Sequence, residues 1–349
     1  MKRLEKGFSL VELMITLVLG LVLFTGVGHL VLSSSRSWAL QDELAQVQES
    51  ARLALDILSK SITTAAYTGC PAQTNLANLL YSNADNQQWM MHFDKGVLGI
   101  PSGRSVKEQL DRNAISEAII IHKIDSDQSA VVSRHNTRTA TITLSSRRGY
   151  DEGDLLALIS PSCEQISVFR AGSSTDNNMV THPVSSSGSL YNCVNQLQGN
   201  FNCHDSTVGS SDMDHQGSIL APLRSYAFYL RKSNNVPTLY RKLAGEYTSG
   251  RSIYPEALVE GIEKLSVRYG VDSDNDGVAN RYMTADEIKP YSNEWLSVTA
   301  IKLELLVRTY SEVAPEAQAY FFAGHRILPN DLYVRRSFMK TIKLRNRGL

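Results

Sequence analysis

"KGFSLVELMITLVLGLVL", Lys6 to Leu23, is apolar enough to sit in a bilayer, yet it carries a carboxylate, Glu12, near its start. From Phe8 to Leu32 Glu12 is the only charged residue in 25 positions. At ~1.5 Å per residue, a run of that length crosses a hydrocarbon core as a helix. Before it stands "MKRLEKG", where Lys2, Arg3 and Lys6 outnumber Glu5. Positive charge holds such a tail in the cytoplasm and sends the remainder of the chain outward, here to the periplasm. An ordinary secretory signal has a shorter apolar core followed by a small-x-small cleavage site. Here the run is longer, and the small residue, Gly7, comes before it.

An intramembrane carboxylate costs roughly 2.5–3.5 kcal/mol on insertion scales and calls for a partner. No Lys or Arg lies among the 20 positions after Glu12, and His29 is the only titratable residue there. A cut between Gly7 and Phe8 would create the missing cation. The new amino group of Phe8 would stand four residues before Glu12, one helical turn away on the same face. Basic leader, Gly, Phe, a Glu at the fifth position after the cut and a long apolar helix: this pattern resembles the class III signal of type IV prepilins. The resemblance implies cleavage after Gly7 by a prepilin peptidase, N-methylation of Phe8 and storage in the inner membrane. It makes Glu12 an assembly residue, paired with the amine of its own chain or of a neighbour. The alternative is a plain signal-anchor helix that carries a Glu.

Beyond Leu32 the composition turns amphipathic. Leu44, Val47, Ala51, Ala54, Leu58 and Ile62 recur at steps of three and four, with Gln41, Asp42, Gln48, Glu49, Arg52 and Lys60 on other faces. The two halves read as one rod from Phe8 to about Ala66, roughly 90 Å long, ended by "TGCP" at Thr68–Pro71. Gly20, Gly26 and Gly28 weaken its membrane half or serve as packing points for other helices. The expected organisation is a leader at 1–7, a transmembrane assembly helix at 8–32, its amphipathic half at 33–66 and a β-rich globular domain at 67–349.

Stretches at 117–124, 139–146, 154–160, 164–171, 225–232, 238–244, 261–271, 298–310 and 338–346 read as strands, with clear alternation of apolar and polar residues in Lys302–Arg308 and Met339–Leu344. Turn residues separate them without regular helical insertions. That predicts an α+β, type IV pilin-like fold, a long N-terminal helix packed on antiparallel sheet with a large β-rich C-terminal region. Ala171–Ser189 is polar and reads as a surface loop between two lobes. The four cysteines, Cys70, Cys163, Cys193 and Cys203, include no CxxC pair. In an oxidising compartment they suggest two disulfides with three connectivities. Cys193–Cys203, which closes a short loop, is favoured, leaving Cys70–Cys163.

"VDSDNDGVANRY" sets Asp272, Asp274 and Asp276 at alternate positions and a Gly at the sixth, Gly277. That is the first half of an EF-hand-type Ca2+ loop, in which Val278 would give its carbonyl and Asn280 an oxygen. The twelfth position is Met283 rather than Glu, so the loop departs from a full EF hand. Asp286 or Glu287 is a downstream candidate for the missing ligand. Together with "WLSVTAIKLELLVRT" and "RRSFMKTIKLRNR", this loop resembles the PilW family of minor pilins. The resemblance covers the helix to about Cys70 and the chain from about Ala257. It implies a low-abundance subunit that primes pilus assembly with other minor pilins and the major pilin, on the inner-membrane assembly platform, and then enters the fibre, with a place at its tip.

Several function classes are disfavoured. Lys plus Arg and Asp plus Glu number 35 each, so there is no polyelectrolyte character. The basic end, Arg335 to Arg347, does not form one face in an alternating strand, and no direct nucleic-acid contact is expected. Histidines at 29, 92, 122, 135, 182, 204, 215 and 325 are scattered, and no HExxH, GxSxG, Walker loop or GxGxxG occurs. The chain is read as a non-enzyme. Two alternatives stay open: a J-type minor pseudopilin of type II secretion, with the same leader, and a signal-anchored periplasmic binding protein.

Overall fold

The computed structural model describes residues 10–71, 74–82, 84, 87–147, 149–174, 176–184, 190–203, 215–244 and 255–346. Helix α1, Leu10–Thr63, runs unbroken for 54 residues, roughly 80 Å. No side chain from Leu10 to Leu32 is buried; Leu17, Leu21 and Phe24 are 64%, 63% and 78% exposed. The second half buries one stripe: Val47, Ala51, Ala54, Leu58 and Ile62. Leu44, the first member of the expected stripe, is half-buried. The helix stops at Thr63, a few residues before the expected "TGCP". Ala66 takes a left-handed conformation at φ 58°, the geometry that turns a chain out of a helix.

The stripe packs on the C-terminal sheet and on Glu256–Glu260. That sheet is antiparallel and ordered Arg281–Met283, Ile262–Val271, Val298–Arg308, Arg335–Lys343. Backbone and side-chain bonds hold the helix in register. The Glu43 carboxylate accepts from Tyr310 N–H at 2.7 Å, and Asn346 donates to the Ala65 carbonyl at 2.9 Å. Past the helix, Ala66 N–H donates to the His122 carbonyl at 2.9 Å.

A 12-stranded sheet is built around Ile219–Ser233, and two short antiparallel pairs stand apart from it, Leu80–Tyr81 with Tyr191–Asn192 and Tyr320–Phe322 with His325–Ile327. The first part of that strand pairs with Leu155–Ile159, and its later part with Ala118–Ile124 and Val236–Leu243. The changeover falls at Pro222, which has no N–H to continue a ladder. Three sequence expectations need correction. The strand read at 225–232 starts at Ile219, because Pro222 sits inside it at a place where one pairing ends. The sheet is not wholly antiparallel: Asn75–Asn78 runs parallel to both Gln165–Arg170 and Phe201–Asn202. And 171–189 is not all loop, since Met179–Thr181 pairs with Thr141–Leu144; residues 175 and 185–189 lie outside the described residues.

Cys70 is bonded to Cys163 and Cys193 to Cys203. The first ties the exit of the helix to the turn before Gln165–Arg170, across 93 residues. In the chain-entropy account a loop of that length is worth about 4–5 kcal/mol.

Candidate functional site

The N-terminal site begins with the helix itself. Gly7 and Phe8 lie outside the described residues; Glu12 is in the first turn of α1. One turn on, Thr16 Oγ1 donates to the Glu12 carbonyl at 2.9 Å. The surroundings of Glu12 are therefore a helix surface of exposed Leu, Val, Ile and Met side chains. Such a surface is stable only when a bilayer or other apolar helices cover it. The helix runs through Gly20, Gly26 and Gly28 without a break, and nothing lies within 4 Å of where a Cβ would be at any of them.

The acidic loop follows Ile262–Val271, and the loop's own bonds explain its shape. Asn275 and Gly277 take left-handed conformations, φ 59° and 82°, which folds the chain back sharply. Asp272 N–H donates to the Ser297 carbonyl, and Gly277 N–H donates to Asp272 Oδ2 at 2.8 Å. Val278 N–H donates to Asp276 Oδ1 at 2.8 Å. Carboxylate oxygens of Asp272, Asp274 and Asp276 all lie within 4.8 Å of one another. Asp272 is buried at 4% exposure, and its Oδ1 has no hydrogen bond among the described residues. Burial works against its charge. Bonds from Gly277, Asp274, Asn275 and Asp276 outweigh burial and hold its carboxyl below the usual range.

Three oxygens converging beside an orphaned buried one suit a hard cation such as Ca2+. The further ligands expected from the sequence do not all gather. Asn280 Oδ1 accepts from Ser273 N–H at 2.8 Å while its Nδ2 donates to Asp274 Oδ1 at 3.1 Å. Glu287 instead caps Thr284 N–H at 2.6 Å, and Asp286 acts on Glu117. Met283 is buried in a strand pair with Tyr269.

The basic end also divides. Arg335 is 8% exposed and forms two-pronged pairs with Glu263, at 2.6 and 3.1 Å, and Asp331, at 2.6 and 2.8 Å. It is a core residue rather than part of a basic exit. Cys203, which with His204 and Asp205 sets a nucleophile beside a base in the sequence, is in a disulfide, and His204 and Asp205 lie outside the described residues. His122 Nδ1 lies 2.7 Å from Ser225 Oγ, but the two are 2% and 0% exposed, closed to any substrate. Burial and then His92 lower the His122 imidazole to about 3, so it stays neutral. Sequence reading missed Glu117, Arg335 and a meeting of His135, His182 and His215, because each depends on contacts between distant segments.

Residues 227–346 match the family described as Type IV Pilus-assembly protein W, and residues 2–28 match the Prokaryotic N-terminal methylation motif. The chain is thus PilW-like over its C-terminal part, behind a prepilin-type signal. Among solved structures it is similar to a type IV-like pilin from Thermus thermophilus, at 11% identity and a TM-score of 0.32, over 89% of this chain and 97% of that one. No curated protein matches the chain.

Proposed function

We propose that this chain is a minor pilin that helps prime assembly of the type IV pilus, and through it twitching motility, adhesion and DNA uptake. One observation carries the reading. A methylation motif fronts a helix whose first half buries nothing while its second half is seated on the domain. A helix built that way has one surface for its own domain and another for something outside the chain. In the inner membrane that covering is lipid; in the fibre it is the helices of the major pilin and other minor pilins.

In this reading prepilin peptidase cuts between Gly7 and Phe8 and Phe8 is methylated. The amine of Phe8 and the Glu12 carboxylate then set the axial register of each added subunit, since an unmatched carboxylate in an apolar bundle costs several kcal/mol. The globular domain faces the periplasm before extrusion, and its surfaces choose the neighbours. Ca2+ held by Asp272, Asp274 and Asp276, with the Val278 carbonyl, stiffens the loop beside the C-terminal sheet; Asn280 joins it only by giving up its bonds to Ser273 and Asp274.

Glu12→Val tests the pairing. The variant is expected to insert in the membrane and be processed normally, and to be reduced at least tenfold in sheared pili. Normal incorporation would overturn it. The secretion pseudopilin reading shares the signal but predicts a different deletion phenotype: lost exoprotein secretion with intact twitching. The match of 227–346 to a pilus-assembly family supports the pilus reading over it.

A further inference from the structure

Between its apolar half and its seat on the domain, α1 presents one large aromatic side chain to the outside. The apolar run ends at Leu32, and the buried stripe begins at Val47. Trp38 stands between them, 72% exposed. From Trp38 to Val47 is about two and a half turns of helix. The indole therefore lies on the face opposite the stripe, turned away from the chain's own domain.

The neighbours of Trp38 on that face point to its surroundings. One turn to either side stand Ser34, Ser35, Gln41 and Asp42, all polar. A seam for another helix repeats apolar residues at those spacings, and this face does not. One amphipathic ring among polar residues, just past an apolar run, suits the headgroup layer of a bilayer. There an indole lays its ring against the acyl boundary and keeps its N–H in the wet layer. The charge pattern agrees, since no Lys or Arg occurs between Lys6 and Arg36.

Length agrees as well. α1 is unbroken from Leu10 to Thr63, so Glu12 and Trp38 are held about 39 Å apart along the axis. A bilayer is about 30 Å thick in its hydrocarbon and about 40–45 Å with its headgroups. A tilt of about 20° shortens the separation only to about 37 Å. Two points so spaced on one rod fall in opposite headgroup layers.

We propose that Trp38, with Arg36 two positions before it, is an interfacial anchor. It binds the phospholipid headgroup layer on the side of the globular domain and fixes the depth of α1. The proposal rests on the reading of α1 as a membrane-anchored helix. Phosphates surround a helix in that layer on every side, so Arg36 meets them without sharing the face of Trp38. Held at this depth, the rod keeps Glu12 in the opposite headgroup layer, hydrated. The carboxylate enters an apolar setting only when the helix leaves the membrane for the fibre.

The test is tryptophan fluorescence of the full-length chain in phosphatidylcholine–phosphatidylglycerol vesicles. The lipids carry bromine either near the headgroup end or near the methyl end of the acyl chains. Of the three tryptophans, Trp89 and Trp295 are 0% and 1% exposed inside the domain, so bromine in the lipid reports on Trp38. Quenching should be at least twofold stronger from the shallow bromine than from the deep one, and should vanish in Trp38→Phe. A chain that floats with the vesicles yet is quenched no more than Trp38→Phe would overturn the anchor alone. So would quenching that is equal or stronger from the deep bromine. A chain that does not float with the vesicles would overturn it together with the membrane reading of α1.

Discussion

Glu117 stands where the two sheets meet. It lies at the head of Ala118–Ile124 and accepts from Val267 N–H, in the C-terminal sheet, at 3.0 Å. Burial, with Asp286 adding to it, raises its carboxyl from 4.5 to about 7, against the pull of Val267 N–H and Arg268. The folded chain therefore keeps a proton that the unfolded chain has lost between those values, and stability falls as pH rises through that window. Glu117→Gln keeps an acceptor for Val267 and never ionises. Its urea midpoint should vary less than wild type between pH 5 and 8, with a gain at pH 8 of up to about 3 kcal/mol. Parallel pH profiles would contradict this. In the acidic loop, Asp274→Ala should reduce the rise in Tm that wild type shows with millimolar Ca2+, and change little in chelator. Equal losses in both conditions would remove the cation from the account. The two cases differ in how visible they are beforehand. Asp272, Asp274 and Asp276 fall within five positions, so their convergence is written in the spacing. Glu117 and the three histidines owe their setting to strands that meet only in the fold.

At the scale of the element, α1 is two helices in one. Its stripe was readable because a helix repeats every 3.6 residues, and Val47, Ala51, Ala54, Leu58 and Ile62 follow that repeat onto the sheet. Leu58 is fully buried, whereas Leu21 is 63% exposed. Leu58→Ala should cost the domain about 2–5 kcal/mol in denaturation of the detergent-solubilised chain, and Leu21→Ala should cost it next to nothing. Similar losses at both positions would mean that the membrane half also packs on the domain. The strands were less readable. Alternation marks Val298–Arg308 well, since one face covers α1's stripe and the other meets solvent or the Tyr320–Phe322 hairpin. Ile219–Leu223 was hidden because a proline argues against a strand, and here it sits where the strand changes partners.

For the whole molecule, the C-terminal sheet was legible and the large sheet was not. The former joins near neighbours in antiparallel order. The latter brings Asn75–Asn78 alongside Gln165–Arg170 and Phe201–Asn202 in parallel. Parallel partners need long crossovers, and nothing local encodes which distant segment will arrive. The Cys70–Cys163 bond ties that arrangement to the end of α1, while the helix's buried stripe packs on the C-terminal sheet.

The central claim is that the apolar half of α1 is a processed assembly helix. Intact mass and N-terminal sequence of the chain from cells with and without prepilin peptidase test it most directly. A chain beginning at N-methylated Phe8 only when the peptidase is present is the predicted result. A chain beginning at Met1 in both would contradict it, and would leave an ordinary signal anchor with a carboxylate in its first turn.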